Sequence, residues 1–178
     1  LLVQPKFVET ATKAVERIAN DMNVPLENFA LVTGDISLPD LGVSADDLEI
    51  IRDETTEIYH LAAVYDLAVD KEVAYKVNLQ GTRNVNDLAR SAGRLRRYNY
   101  ISTCYVAGKR LGQILETDLV HDAGFRNHYE ETKYLAEIEV EKLKEELPVT
   151  IFRPAVVVGD SKTGETAKYD GIYYLIHY

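Results

Sequence analysis

A chain of 178 residues, 46% hydrophobic and 28% charged, is long enough for one domain with a sizeable core and has the composition of a soluble globular protein. A formal net charge of −9 argues against a nucleic-acid polyanion as the main partner, though it leaves room for a small phosphorylated cofactor held by local donors. The single Cys104 excludes an intramolecular disulfide and a cysteine-based metal site, and no apolar run approaches the roughly 18 residues of a membrane span.

Leu1-Leu2-Val3-Gln4-Pro5-Lys6 does not read as a signal peptide, so a reducing, cytoplasmic setting is expected. With no initiator Met, the chain is expected to start inside a longer protein. Residues 1–3 read as the tail of a strand, followed by an amphipathic helix over 8–20 with Ala11, Ala14, Val15 and Ile18 inward. Residues 29–33 form a short apolar strand ending at Gly34-Asp35. Ser44 is placed to cap a helix over 45–52, with Asp47 in the capping-box position. Residues 57–61 are the next strand, and a long helix is expected over 71–92, stopped by Gly93. A strand over 98–103 leads into residues 106–128, a loop too long to be a mere connector. A helix over 129–146 ends before Pro148. Residues 149–152 then form a strand closing at Arg153-Pro154, ahead of an irregular loop and an aromatic tail from Tyr169 onward. Strands alternating with helices predict an α/β fold, a doubly wound parallel sheet covered on both faces, as a single domain over 1–178.

In such a sheet ligands bind beyond the carboxyl ends of the strands, so the strand exits carry the candidates. Asp35 could accept a hydrogen bond from an exocyclic amine such as that of adenine while Ile36 packs on the ring; by itself Gly34-Asp35 is a turn signal. In His60-Leu61-Ala62-Ala63 the two alanines let the backbone approach a flat ligand. A lone His60 reads first as a hydrogen-bonded structural residue, and with no second ligand at metal spacing no metal site is expected. The long helix carries an inward stripe of Asn78, Gly81, Val85, Leu88 and Ala92. Gly81 costs up to about 1 kcal/mol relative to Ala, which is reasonable if another backbone packs closely against it. Asn78 either satisfies a neighbouring backbone group or reaches a cofactor pocket. Ser102 and Thr103 offer hydroxyls that can hold a substrate carbonyl, whereas Cys104 reads as packed and inert.

The strongest chemical signal is Tyr129-x-x-x-Lys133. At i, i+4 the phenol and the ammonium share one helical face, and the inward stripe of Leu147, Leu143, Val140 and Ala136 runs back onto both. Buried polar groups need partners, so the two are expected to face a pocket. The ammonium is expected to favour the phenolate and lower a pKa that is otherwise about 10. Proton donation in the reduction of a carbonyl is the chemistry this suggests.

With Gly34-Asp35-Ile36, His60-Leu61-Ala62-Ala63, Asn78-x-x-Gly81-Thr82, Ser102-Thr103-x-x-Val106-x-Gly108, Tyr129-x-x-x-Lys133 and Arg153-Pro154 in this order, the chain resembles the extended short-chain dehydrogenase/reductases. Within them it is similar to the branch of fatty acyl-CoA reductases and thioester reductases, the male-sterility-type NAD-binding domain. The resemblance implies that Tyr129 is the general acid, that Lys133 holds the nicotinamide ribose, and that Thr103 is the catalytic Ser/Thr with Ser102 beside it. It further implies adenine contacts from Asp35 and Ile36, a cofactor lining of His60, Ala62, Ala63 and Asn78, and a nicotinamide flanked by Pro154, Val156 and Val157. The implied reaction is hydride transfer to an acyl thioester, aldehyde or related carbonyl.

Two departures matter. The glycine-rich phosphate loop and the central strand before it would precede residue 1, and the C-terminal substrate region is missing. An interior fragment truncated at both ends, inactive and a poor dinucleotide binder by itself, is therefore expected. Gln4 stands where NADP-preferring relatives often carry Arg, with Lys6 as a possible substitute, so the cofactor is NADP or NAD with a lean to NADP. The alternatives are a nucleotide-sugar epimerase or dehydratase using the same Tyr, Lys and Thr, and a non-catalytic dinucleotide-binding domain.

Overall fold

In the computed structural model, which describes residues 1–166, 169 and 173, strands and helices alternate as the sequence leads one to expect. The strands are β1 (Leu2–Val3), β2 (Val32–Thr33), β3 (Glu57–His60), β4 (Arg97–Ile101) and β5 (Val149–Phe152). The α-helices are α1 (Val8–Met22), α2 (Ala45–Glu54), α3 (Lys71–Ala74), α4 (Gly81–Ser91) and α5 (His128–Lys142). Among the described residues no helix is long and apolar enough to cross a membrane. The aromatic tail lies outside the described residues apart from Tyr169 and Tyr173.

All the pairings are parallel, but the ladders fall into two sheets rather than one. β1 pairs with β2, Leu2 opposite Val32, while β3, β4 and β5 run side by side with Ile58 opposite Tyr98 and Tyr98 opposite Val149. The division falls between the first pair of strands and the remaining three. β2 is shorter than expected because β1 offers a ladder partner only to Val32 and Thr33.

Helix α1 buries Val15 and Ala19, whereas Ile18, expected inward, is 44% exposed. Its apolar stripe is thus rotated from the one read off the sequence. The helix expected over 71–92 is not continuous: α3 passes into a π-helical segment, Tyr75–Gln80, before α4. Asn78 sits in that widened turn, and such turns recur at functional sites. What packs on Gly81 is a side chain and not a backbone: a Cβ there would lie 2.7 Å from Ile36 Cδ1. Gly93 takes no left-handed cap either, since α4 already ends with Ala92 extended. Ser44 caps α2 as predicted, its Oγ accepting from the Asp47 N–H at 3.1 Å.

The core lies where α4 and α5 meet the three-stranded sheet. Tyr98 and Tyr100 of β4, Val85 and Ala89 of α4, and Ala136 and Val140 of α5 are buried together with Leu143. Each fully buried large side chain contributes about 1.5–3 kcal/mol. Tyr98 avoids the penalty of a buried hydroxyl by donating to Asn86 Oδ1 at 2.9 Å.

The loop between β4 and α5 folds back on Gly108. The Gly124 carbonyl accepts from Lys109 N at 3.0 Å, and Arg126 Nη1 donates to Gly108 O at 2.6 Å. Gly108 has φ +61°, and a Cβ on it would lie 2.4 Å from Gly124 O. Gly108→Ala is therefore expected to destabilise the fold by about 1–3 kcal/mol, since backbone strain and a backbone clash coincide. A denaturant midpoint equal to that of the wild type would contradict this.

Candidate active site

The exits of β3, β4 and β5 and the first turns of α5 enclose a cavity of about 320 Å³, within the size range of small-molecule sites. A larger hollow of about 710 Å³ lies along residues 110–120 and Glu141 and shares no residue with it. The smaller cavity matters because the proton-bearing groups converge on it.

β4 stops at Ile101 because Thr103 caps a 3₁₀ turn, Cys104–Ala107, with its Oγ1 accepting from Tyr105 N at 3.2 Å. That turns Thr103 off the sheet and into the cavity wall. On the other side Asn127 caps α5, its side chain accepting from Glu130 N at 2.9 Å. Tyr129 and Lys133 lie on the buried face of α5, and both line the cavity. Tyr129 is 6% exposed, forms a side-chain hydrogen bond with Thr103, and meets the ring of Tyr65 edge-on at 5.2 Å.

The Tyr129 phenol differs in one respect from the sequence expectation. Its pKa is raised, burial being the largest cause, with the Thr103 hydrogen bond working in the opposite direction. Lys133 does not pull it down because the ammonium is directed elsewhere: Nζ donates to Ile101 O at 2.8 Å and to Tyr100 Oη at 3.0 Å. Lys133 itself is lowered to about 8 by burial, which Glu137 partly offsets. An ammonium has three protons; among the described residues two have acceptors, so one is left for the cavity.

Tyr100 belongs to a buried polar chain. Thr82 donates to Asn78 O at 2.7 Å, lies 3.0 Å from His60 Nε2, and shares a side-chain hydrogen bond with Tyr100. Burial, helped by the Lys133 cation, drops the His60 pKa to about 3 and keeps it neutral.

Of the residues expected to bind cofactor, Ala63, Ser102, Lys133, Pro154, Val156 and Val157 line this cavity together with Thr103 and Tyr129. The Ser102 hydroxyl, however, donates to Glu137 Oε2. His60 points into the core instead, and Ala62 is exposed outside the lining. Asn78 spends its amide on the loop after β3, accepting from Val64 N at 2.8 Å and donating to Val64 O and Thr132 Oγ1. Asp35 and Ile36 lie at the exit of β2. There Asp35 accepts from Ser37 N and Gln4 Nε2, and Ile36 is buried against Gly81. The Asp35 carboxyl is lowered: those hydrogen bonds and the Lys76 charge together outweigh desolvation, the largest single contribution. Among the described residues no three His, Cys, Asp or Glu side chains group closely enough to hold a metal ion.

Sequence reasoning missed Glu137, Tyr65, Tyr105, Leu61 and Ala155. Glu137 was legible in principle, one turn beyond Lys133 on the same inward face. The others sit in loops, where no periodicity marks them.

The family described as male sterility protein matches residues 1–178. The fatty acyl-CoA reductase wat of Drosophila melanogaster is 29% identical over 97% of this chain and 40% of its own length. Fatty acyl-CoA reductase 1 of Mus musculus is 30% identical over 88% of the chain and 37% of its own length. The terminal R domain of the myxalamid PKS-NRPS pathway superposes with a TM-score of 0.81 at 26% identity, covering 98% of this chain and 46% of that one. UDP-glucuronic acid 4-epimerase from Bacillus cereus, solved with NAD, superposes with a TM-score of 0.61 at 22% identity over 79% of this chain and 43% of its own, a likeness of fold alone. The chain thus spans about 40% of the length of these curated relatives.

Proposed function

Because the chain belongs to the male sterility protein family, the fatty acyl-CoA reductase-like branch of the extended short-chain dehydrogenase/reductases, we propose that it carries the reducing centre of an NAD(P)-dependent oxidoreductase. The substrate class is an acyl thioester, an aldehyde or a related carbonyl. The convergence of Thr103, Tyr129 and Lys133 on one cavity at the strand ends carries this reading. The cavity fits the cofactor's reactive end: Pro154, Ala155, Val156 and Val157 give a largely apolar wall for a flat ring, and Lys133 offers a spare donor for a ribose hydroxyl. A nicotinamide dinucleotide, when bound, supplies the hydride.

The chain's own residues do the rest. Thr103 steadies the carbonyl oxygen with its hydroxyl, and Tyr129 delivers a proton to that oxygen. Because burial holds the phenol above its ordinary pKa, Tyr129 is protonated throughout the neutral range, the state a general acid needs. Asp35 and Ile36 contact the adenine end at the exit of β2. The lean to NADP rests on Lys6, because Gln4 commits its amide to Asp35 at 2.9 Å.

In the intact protein, NAD(P)H absorbance is expected to fall in stoichiometric proportion to added acyl-CoA or aldehyde, faster with NADPH than with NADH. No loss of reduced cofactor, together with turnover of a nucleotide sugar on a retained dinucleotide, would favour the epimerase alternative. Residues 1–178 alone are expected to bind dinucleotide weakly in calorimetry, since among the described residues the adenine and nicotinamide contacts rest on two separate ladders.

A further inference from the structure

Two buried acids, Glu130 and Glu137, lie outside this mechanism, and the second ties together the strands beneath the cavity. Glu137 is 0% exposed, one helical turn beyond Lys133 on α5, and both of its oxygens are engaged. Oε2 accepts from Ser102 Oγ just past β4, and Oε1 accepts from Arg153 Nε at 2.8 Å and Arg153 Nη2 at 2.5 Å just past β5. Both neighbours belong to the segments that form the cavity: Ser102 precedes Thr103, and Arg153 precedes Pro154. Backbone bonds from Ser102 N to Phe152 O and from Cys104 N to Pro154 O, at 2.7 and 3.1 Å, close the same seam.

A buried carboxylate is costly unless it is paired and hydrogen-bonded, and here it is both. We propose that Glu137 is a positioning residue of this centre: it clamps the exits of β4 and β5 against α5 and supplies the negative charge that keeps Lys133 an ammonium under the cavity. The inference rests on the reductase reading for its purpose but not for its geometry.

The groups facing Lys133 come from every element around it. They are Tyr129 and Glu137 from α5, Tyr100 from β4 and His60 from β3, with Arg153 acting through Glu137. His60 is neutral and Tyr100 is held protonated by burial, so Glu137 is the anion among them. Its charge raises a lysine that burial alone would depress further.

The test is the titration midpoint of Lys133, followed by NMR of ε-¹³C-lysine in the intact protein and assigned by loss of the signal in Lys133→Met. Glu137→Gln is expected to lower that midpoint by about one pH unit, and Glu137→Asp, which keeps the charge, to restore most of it. The double variant Glu137→Gln/Arg153→Gln, which removes both members of the buried pair and leaves no charge unpaired, is expected to lower the midpoint in the same direction. A Glu137→Gln midpoint equal to that of the wild type would overturn the proposal; should that variant not fold, an unmoved midpoint in the Glu137→Gln/Arg153→Gln double variant would do so. None of these outcomes depends on turnover. A failed reductase assay with shifted midpoints would therefore sink the functional reading and leave the role of Glu137 standing. If the protein does reduce carbonyls, the alkaline limb of its pH–rate profile should move with the midpoint, whereas a merely structural Glu137 would lower the rate evenly at every pH.

Discussion

Tyr129→Phe is expected to lower the turnover of the intact protein by about a hundredfold or more, the size of a lost general acid, while leaving its unfolding midpoint close to that of the wild type. The substitution keeps the ring and therefore its edge contact with Tyr65 at 5.2 Å. What is lost is the phenolic oxygen and its hydrogen bond with Thr103, and Thr103 keeps its second partner, the Tyr105 N–H. Removing a polar atom from a 6% exposed position leaves no charge stranded. Folding and chemistry are thus separable at this residue. The sign of the pKa shift sharpens the expectation: a phenol raised by burial donates a proton readily available at neutral pH, so the wild-type reduction rate should show no fall attributable to Tyr129 ionisation below its ordinary pKa of about 10. Near-wild-type turnover in the Phe variant would refute the role assigned to Tyr129.

The parts of this arrangement legible in the sequence are those where one local rule acts alone. The stripe from Tyr129 through Lys133, Ala136 and Val140 to Leu143 is buried as its spacing requires, and β5 occupies the residues expected before Arg153-Pro154. The alternation of strands with helices gave the parallel pairing. The losses have physical causes. The π-turn at Tyr75–Gln80 keeps the composition of an ordinary helix; only the long-range bonds from Asn78 to Val64 and Thr132 show why the winding changes there. The raised Tyr129 pKa could not be read from i, i+4 spacing, because spacing places the ammonium near the phenol without saying which acceptor wins it. Ile101 O and Tyr100 Oη win it. The sequence offers Ser102 as a ligand-facing hydroxyl, but the buried acid beneath it claims that proton.

Lys133→Met is the second large effect. The side chain is 4% exposed, and an unbranched thioether can follow the lysine stem through the same channel. Its removal leaves Ile101 O and Tyr100 Oη without a donor, a cost of about 1–3 kcal/mol per unsatisfied group, but it also relieves the desolvation of a buried cation. The two effects oppose each other, so the fold is expected to survive. Turnover is not. Without the ammonium no other described residue lining the cavity offers a positive charge, and a loss of about a hundredfold or more is expected. If the phenol and the ammonium serve one proton transfer, the double variant Tyr129→Phe/Lys133→Met should be little slower than the worse single variant, because groups acting as a unit are strongly non-additive. Four kcat values close that cycle. Losses that simply multiply would show that Lys133 acts apart from Tyr129, and the geometry that brings both to one cavity wall would then have to be explained by cofactor binding alone.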